Sequence, residues 1–340
     1  MTTATMPEAQ SQIQSSRSLA PVFVLGCGRS GTTLLYHMLL SAGNFAVYRV
    51  ESNAINLLEP RFGDLSVPGN KRRLLEAWYN SRLYTLSGLD REEIAAKVMA
   101  ECRNGGDFLR IIMSEMCRKQ NVQRWADTTP EHLLHLHRIK ETIPEALIIH
   151  IIRDGRDVAL STDKLGYIHR LPWDRTPSRM VCGLYWEWMV NKGRRDGRDL
   201  GHDYTEVHFE DLISKPHETL ARLGQFIGQE LDYDRIREVG IGSVSAPNSS
   251  FADGSKREFN PLGRWKEGFP PQELQMFEAL VGRTLEQNGY EPVTKDREVL
   301  SRPDLQCMRA IYLKYFDLKL YLKARTPLGR LLVTRDLSWI

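Results

Sequence analysis

The chain has 340 residues, 46 Lys and Arg against 43 Asp and Glu, 41% hydrophobic and 26% charged residues, and a net charge of +3. These figures describe a globular protein of one large domain or two smaller ones. They exclude wholesale nucleic-acid binding on charge alone, and no apolar run approaches the 18 residues of a membrane span.

Residues 1–20 are polar and rich in Thr, Ser and Gln, without the apolar stretch of a signal peptide, and read as a disordered lead-in. Val22–Leu25 reads as a buried strand, "GCGRSGTT" as a glycine-rich turn, and residues 32–42 as the helix after it. From about Glu59 to Gln123 the pattern is helical and irregular, as in "KRRLLEAWYNSRLYTLSG" and "FLRIIMSEMCRKQ". "ALIIHII", residues 146–152, is a β-branched run fit for a central strand, and "GRDVALSTDKL" continues as helix. "MVCGLYWEWMVNKGRR" is a helix apolar on most sides, "YTEVHFEDL" alternates like a strand, and "KPHETLARLGQFIG" resumes helix. Gly242–Gly268 is long and irregular, which in a compact domain signals function or disorder. Helices over 271–288 and 308–324 complete the chain. Strands alternating with helices predict an α/β fold with a doubly wound parallel sheet.

The turn admits two familiar phosphate readings. Gly26-x-Gly28-x-x-Gly31, with Glu51 twenty residues on, fits a dinucleotide fingerprint and an NAD-binding oxidoreductase. Gly26-x-x-x-x-Gly31-Thr32-Thr33 fits a nucleoside-triphosphate loop, but a kinase would need the lysine that threonine replaces here. In either reading the backbone N–H groups and the positive end of the helix dipole aim at one anion, and Arg29 has to supply the charge. A second anion site follows "IIHII". Arg153 stands at the carboxyl end of that strand, where open α/β sheets bind ligands, and Ser161 lies about two helical turns on. Pairing among Arg153, Asp154, Arg156 and Asp157 as surface salt bridges is the bland alternative.

With these residues in view, the chain resembles the sulfotransferases that use 3′-phosphoadenosine 5′-phosphosulfate (PAPS), in the branch that includes tyrosylprotein sulfotransferases. "GCGRSGTTLL" is similar to the 5′-phosphosulfate loop of that family and "RDGRDVALS" to its 3′-phosphate motif. "ADTTPEHLLHLHRIKETIPEALIIHIIRD", "YTEVHFEDLISKPHETLARLGQFIG" and "GRWKEGFPPQEL" follow its order over about residues 21–292. The resemblance implies a P-loop-like parallel sheet flanked by helices, with a helical insertion on the acceptor side. It implies a sulfotransferase domain over 21–292 and a helical extension over 293–340. It assigns Arg29, Ser30, Gly31, Thr32 and Thr33 to the 5′-phosphosulfate, and Arg153 and Ser161 to the 3′-phosphate. Among Lys256, Arg257, Arg264 and Lys266, which one reaches the nucleotide stays open. The products would be adenosine 3′,5′-bisphosphate and a sulfate ester, with no metal.

A hydroxyl acceptor needs a general base. Tyrosylprotein sulfotransferases use a glutamate about twenty residues after the loop arginine, so Glu51, twenty-two after Arg29, is the expected base. His132 is the reserve, because cytosolic sulfotransferases use histidine. Family members often carry lysine before Thr-Pro, whereas this chain has Thr128 there. Arg29 and then Lys266 are the candidates to replace that lysine. A non-catalytic nucleotide-binding protein is the rival from another class. His132, His135 and His137 do not share one helix face, so no metal site is expected. Cys27 is expected to fit the loop rather than act as a nucleophile. The stripe Tyr185, Trp186, Trp188 and Met189 reads as core or as an acceptor-pocket wall. Acceptors considered are small molecules, sugars and lipids, with no nucleic acid. The last helix packs on the domain or a second subunit, or lies on an anionic membrane surface. Five scattered cysteines (Cys27, Cys102, Cys117, Cys182, Cys307) point to a cytoplasmic setting.

Overall fold

The structure, a computed structural model, describes residues 17–246, 260–295 and 302–332. Four strands form one parallel sheet: β1 (Val22–Leu25), β2 (Ala126–Asp127), β3 (Leu147–Ile152) and β4 (Tyr204–His208), in the order β2-β1-β3-β4. Every residue of β1 and β3 is buried. That is why both read as continuous apolar runs: a central parallel strand is covered on both faces. The pleat still sorts them. Val22, Val24, Ile149 and Ile151 join one core, while Phe23, Leu25, Ile148 and Ile152 join the other.

The helices fall on the two faces in the same way. α1 (Thr32–Ser41) follows β1, and α2 (Pro68–Tyr79), α3 (Arg91–Glu101) and α4 (Gly105–Gln120) make the helical insertion between β1 and β2. α5 (Gly155–Leu165) follows β3, α6 (Ser178–Arg198) precedes β4, and α7 (Pro216–Ile227), α8 (Pro271–Gln287) and α9 (Pro303–Arg325) come after it. α1 and α7 pack on one face; the insertion, α6, α8 and α9 pack on the other. Two of the insertion helices, α3 and α4, start on side-chain caps: Asp90 accepts from the Glu93 N–H at 2.8 Å and Asn104 from the Asp107 N–H at 2.9 Å. α6 is buried on almost every side, which accounts for its lack of amphipathic pattern.

α9 is docked on the domain. Arg309 forms a two-pronged pair with Glu187 of α6, and the Trp188 indole N–H donates to Asp317 at 2.8 Å. Tyr312 and Phe316 enter the same core as the insertion, while Ile311, Leu318 and Tyr321 stay exposed. Among the described residues no helix is long and apolar enough to cross a membrane.

Candidate active site

The chain leaves β1 through a turn whose glycines have separate reasons. A Cβ on Gly26 would stand 2.4 Å from the Ile151 carbonyl of β3, so only glycine lets the turn lie against the sheet. Gly31 has φ +95°, and its Cβ would meet the Phe209 ring at 2.3 Å. Arg29 sits between them at φ +73°, a backbone state that side chains disfavour and that clusters at functional sites. α1 begins at Gly31 with no side-chain cap, so its leading N–H groups lack that usual partner. Ser30 is fully buried and its hydroxyl has no partner. Orphaned donors beside an uncapped helix start suit an anion.

The register of β1 and β3 brings the second motif to the same place. Arg29 Nε donates to Ser161 Oγ at 3.0 Å, and Arg153 Nη1 donates to the Arg29 carbonyl at 3.1 Å. The Arg153 guanidinium lies 4.5 Å from the Phe209 ring centre, and its buried Nε has no partner. Arg29, Gly31, Thr32, Thr33, Arg153 and Ser161 thus line one cavity of about 360 Å³. Arg264 and Arg237 complete a wall of four guanidiniums. Burial holds Arg29 and Arg264 below the usual arginine range, and the neighbouring Arg153 adds to this for both. Such crowding favours an anionic ligand. Phe209, Leu212, Ile213, Tyr233 and Val244 give the same cavity an apolar side.

The acidic residues of the second motif do structural work. Arg156 is buried between Asp154, at 2.8 Å, and Glu278, at 2.9 Å, with its guanidinium 3.6 Å from the Trp265 ring centre. These pairs are therefore interior, not the surface bridges that the bland reading expects. Asp157 accepts the backbone N–H groups of Gly263 at 3.0 Å and Trp265 at 2.8 Å. It pins the chain on either side of Arg264, which presents that arginine to the cavity. Lys266 falls outside this cavity wall, beside Trp265. Lys256 and Arg257 lie outside the described residues.

The two expected bases are placed differently. His132 is completely buried. Its Nδ1 bonds to Asp127 at 2.8 Å, and its Nε2 accepts the Ile55 N–H at 3.3 Å. Both ring nitrogens are occupied, so no lone pair faces a ligand; the ring serves to hold the 53–55 segment. Glu51 is exposed at the head of that segment and lines neither this cavity nor the pocket described next. Thr128 is buried with an unpartnered hydroxyl. Cys27 is buried and burial pushes its thiol far up, which suits a packing role.

A second pocket, about 190 Å³, opens between the turn that carries Glu131 and His135, the segment 167–169, α6 and α9. Tyr167, Tyr185, Trp188, Tyr315 and Phe316 give it aromatic walls. The stripe on α6 therefore serves as both core and pocket wall: Trp186 is core and Tyr185 and Trp188 face the pocket. The residues that sequence reasoning missed are Arg237 in the first cavity and Glu131, Tyr167 and the α9 side chains in the second. None belongs to a local motif. Among the described residues no group of three or more His, Cys, Asp and Glu side chains is spaced to hold a metal ion.

Comparison with known proteins adds three findings. The chain is similar in structure to the sulfotransferase domain from the Synechococcus PCC 7002 olefin synthase, at TM-score 0.51 and 20% identity, over 80% of this chain and 95% of that one. Weaker likenesses include the sulfotransferase STF9 from Mycobacterium avium, TM-score 0.43 and 15% identity over 83% and 81% of the two chains. Another is a retinol dehydratase in complex with androsterone and inactive cofactor PAP, TM-score 0.39 and 16% identity over 88% and 87%. No curated protein sequence matches significantly. The sulfotransferase family profile matches residues 21–233, more than half of the chain and all of both anion motifs, so this protein belongs to the sulfotransferase family.

Proposed function

We propose that the chain moves a sulfuryl group from PAPS to an acceptor hydroxyl. The observation that carries this reading is the first cavity: four arginines and an uncapped helix start line one space with an apolar side, Arg153 brings a buried Nε without a partner, and the equally unpartnered Ser30 Oγ belongs to the adjoining turn. A nucleotide phosphorylated at both ends of its ribose matches that set of donors. Arg29, Ser30, Thr32 and Thr33 would hold the 5′-phosphosulfate, and Arg153 and Ser161 the 3′-phosphate. Arg264, held by the bonds of its neighbours to Asp157, is better placed than Lys266, and Arg237 adds a charge to the same cavity. The apolar side would take the adenine.

The donor is a substrate, and the protein's task is positioning and charge stabilisation in an in-line displacement. Arg29 is the residue for the charge that develops on the leaving phosphate, since its guanidinium belongs to the loop and bonds Ser161 of the second motif. It takes the place of the missing Thr-Pro lysine. The buried, unpaired thiols support a cytoplasmic setting.

The test is calorimetry with adenosine 3′,5′-bisphosphate, ATP and NAD, without added metal. Micromolar binding of the bisphosphate and weak binding of the other two are expected. Preference for ATP with Mg²⁺ would replace the donor.

A further inference from the structure

The aromatic pocket is a feature that the donor chemistry does not use. Its segment 167–169 directly follows α5, the helix that carries Ser161 of the donor cavity. Its Tyr167 lies within electrostatic reach of the Arg29 guanidinium, and its Tyr185 lies within reach of both Glu131 and Cys27, a residue of the glycine-rich turn. Its volume of about 190 Å³ is that of a small site. An apolar cavity of about 150 Å³ takes one benzene ring. Flat aromatic walls select a flat aromatic guest by edge and face contacts.

One acid stands in this pocket. Glu131 Oε2 accepts from Asn56 at 3.2 Å and from Lys323 of α9 at 3.2 Å, and Oε1 has no protein partner among the described residues. Nearly half of the side chain is accessible, at 46%, and the residue lies in the pocket wall. Burial alone would raise its pKa, but Lys323, Asn56 and His135 outweigh this and hold the carboxylate below the usual range. The pocket wall also holds two histidines, His135 and the exposed His169. Burial, His132 and Lys323 push His135 down to about 3. Accepting a proton would neutralise Glu131 but would create a buried cation at His135, which the pocket disfavours.

Resting on the PAPS reading above, we propose that the pocket is the acceptor site, that it takes a phenol of one aromatic ring, and that Glu131 is the general base. The phenol proton moves to Glu131 Oε1. The phenol oxygen forms the new O–S bond. The S–O bond to the 5′-phosphate breaks, and its electron pair stays on that phosphate oxygen. The products are an aryl sulfate and adenosine 3′,5′-bisphosphate. Glu131 replaces Glu51 in the base role because Glu51 is in the wall of neither cavity.

The experiment pairs binding with transfer. Calorimetry of 4-methylphenol on the free protein should show binding, and Leu320→Trp, which fills the pocket from α9, should abolish it. Adenosine 3′,5′-bisphosphate affinity should be unchanged in that variant, which also shows that it folds. Glu131→Gln should keep both affinities within about threefold while transfer to 4-methylphenol falls about 10²–10⁴-fold. Transfer to 4-nitrophenol, an acid strong enough to ionise unaided, should fall less than tenfold; a merely structural role would cut both alike. The proposal is overturned if 4-methylphenol binds Leu320→Trp as well as the unaltered protein, or does not bind the latter. It is equally overturned if octanol or glucose is the better acceptor, or if His135→Asn or Glu51→Gln, and not Glu131→Gln, stops transfer. A protein that binds 4-methylphenol but not the bisphosphate refutes the donor reading alone.

Discussion

The two cavities are made in opposite ways. The arginine-lined cavity rests on backbone: a turn between β1 and α1, the end of β3, and a segment pinned by two N–H bonds to Asp157. The aromatic pocket rests on side chains from four separate segments, one of them α9, far along the chain. A backbone site can be read from short motifs and resists change; a side-chain site is invisible locally and easily altered. Substitutions in one cavity should therefore leave the other's ligand alone, and several experiments probe that independence.

The largest effect is expected at Arg29. Arg29→Ala should lower the turnover number about 10²–10³-fold, as loss of one charge-stabilising donor does, with phenol affinity untouched. Gly31→Ala comes next. Its Cβ would strike the Phe209 ring at 2.3 Å in a backbone state that alanine disfavours, so a loss of about 2–3 kcal/mol is expected in chemical denaturation. Arg153→Ala should weaken the bisphosphate about 10–100-fold by calorimetry, the loss of charge-assisted bonds, again without effect on the aromatic pocket. Equal losses of phenol binding in these variants would break the separation.

A smaller effect concerns acid. His150 is buried in β3, bonded through Nδ1 to the Tyr204 hydroxyl at 2.7 Å. Burial pushes it down to about 4; Glu206 opposes this while Arg194 and His208 add to it. The unfolded chain, with an ordinary histidine near 6.5, binds more protons between these values, so stability rises with pH across that window. Thermal melts should show full stability above about pH 6.5 and a loss on descent towards pH 4, a slope reduced in His150→Gln. The smallest effect is at Lys266, which lies outside the cavity wall: Lys266→Ala should change bisphosphate affinity less than twofold, whereas Arg264→Ala should weaken it clearly.

What could be read from the sequence follows the same division. β1, β3, the glycine-rich turn and the Arg153 motif were legible because each is a contiguous stretch whose physics is local: β-branched runs, glycines at a tight corner, an arginine at a strand end. The parallel sheet with helices on both faces followed from them. Arg237 was not legible, since nothing in "DRIREV" distinguishes a cavity arginine from a solvated one. Glu131 was hidden in the same way: its partner Lys323 lies 192 residues later. Glu51 has the expected spacing and is exposed, next to a segment that the buried bonds of Ser52, Asn53 and Ile55 to Thr129 and His132 hold in place.

One consequence of the way α9 is docked concerns how such a protein could diversify. A single element of 23 residues supplies Tyr315, Phe316, Lys319, Leu320 and Lys323 to the aromatic pocket and nothing to the arginine-lined cavity. On the acceptor reading proposed above, exchanging that one helix between relatives would retarget which hydroxyl is esterified while the arginine-lined cavity is inherited intact.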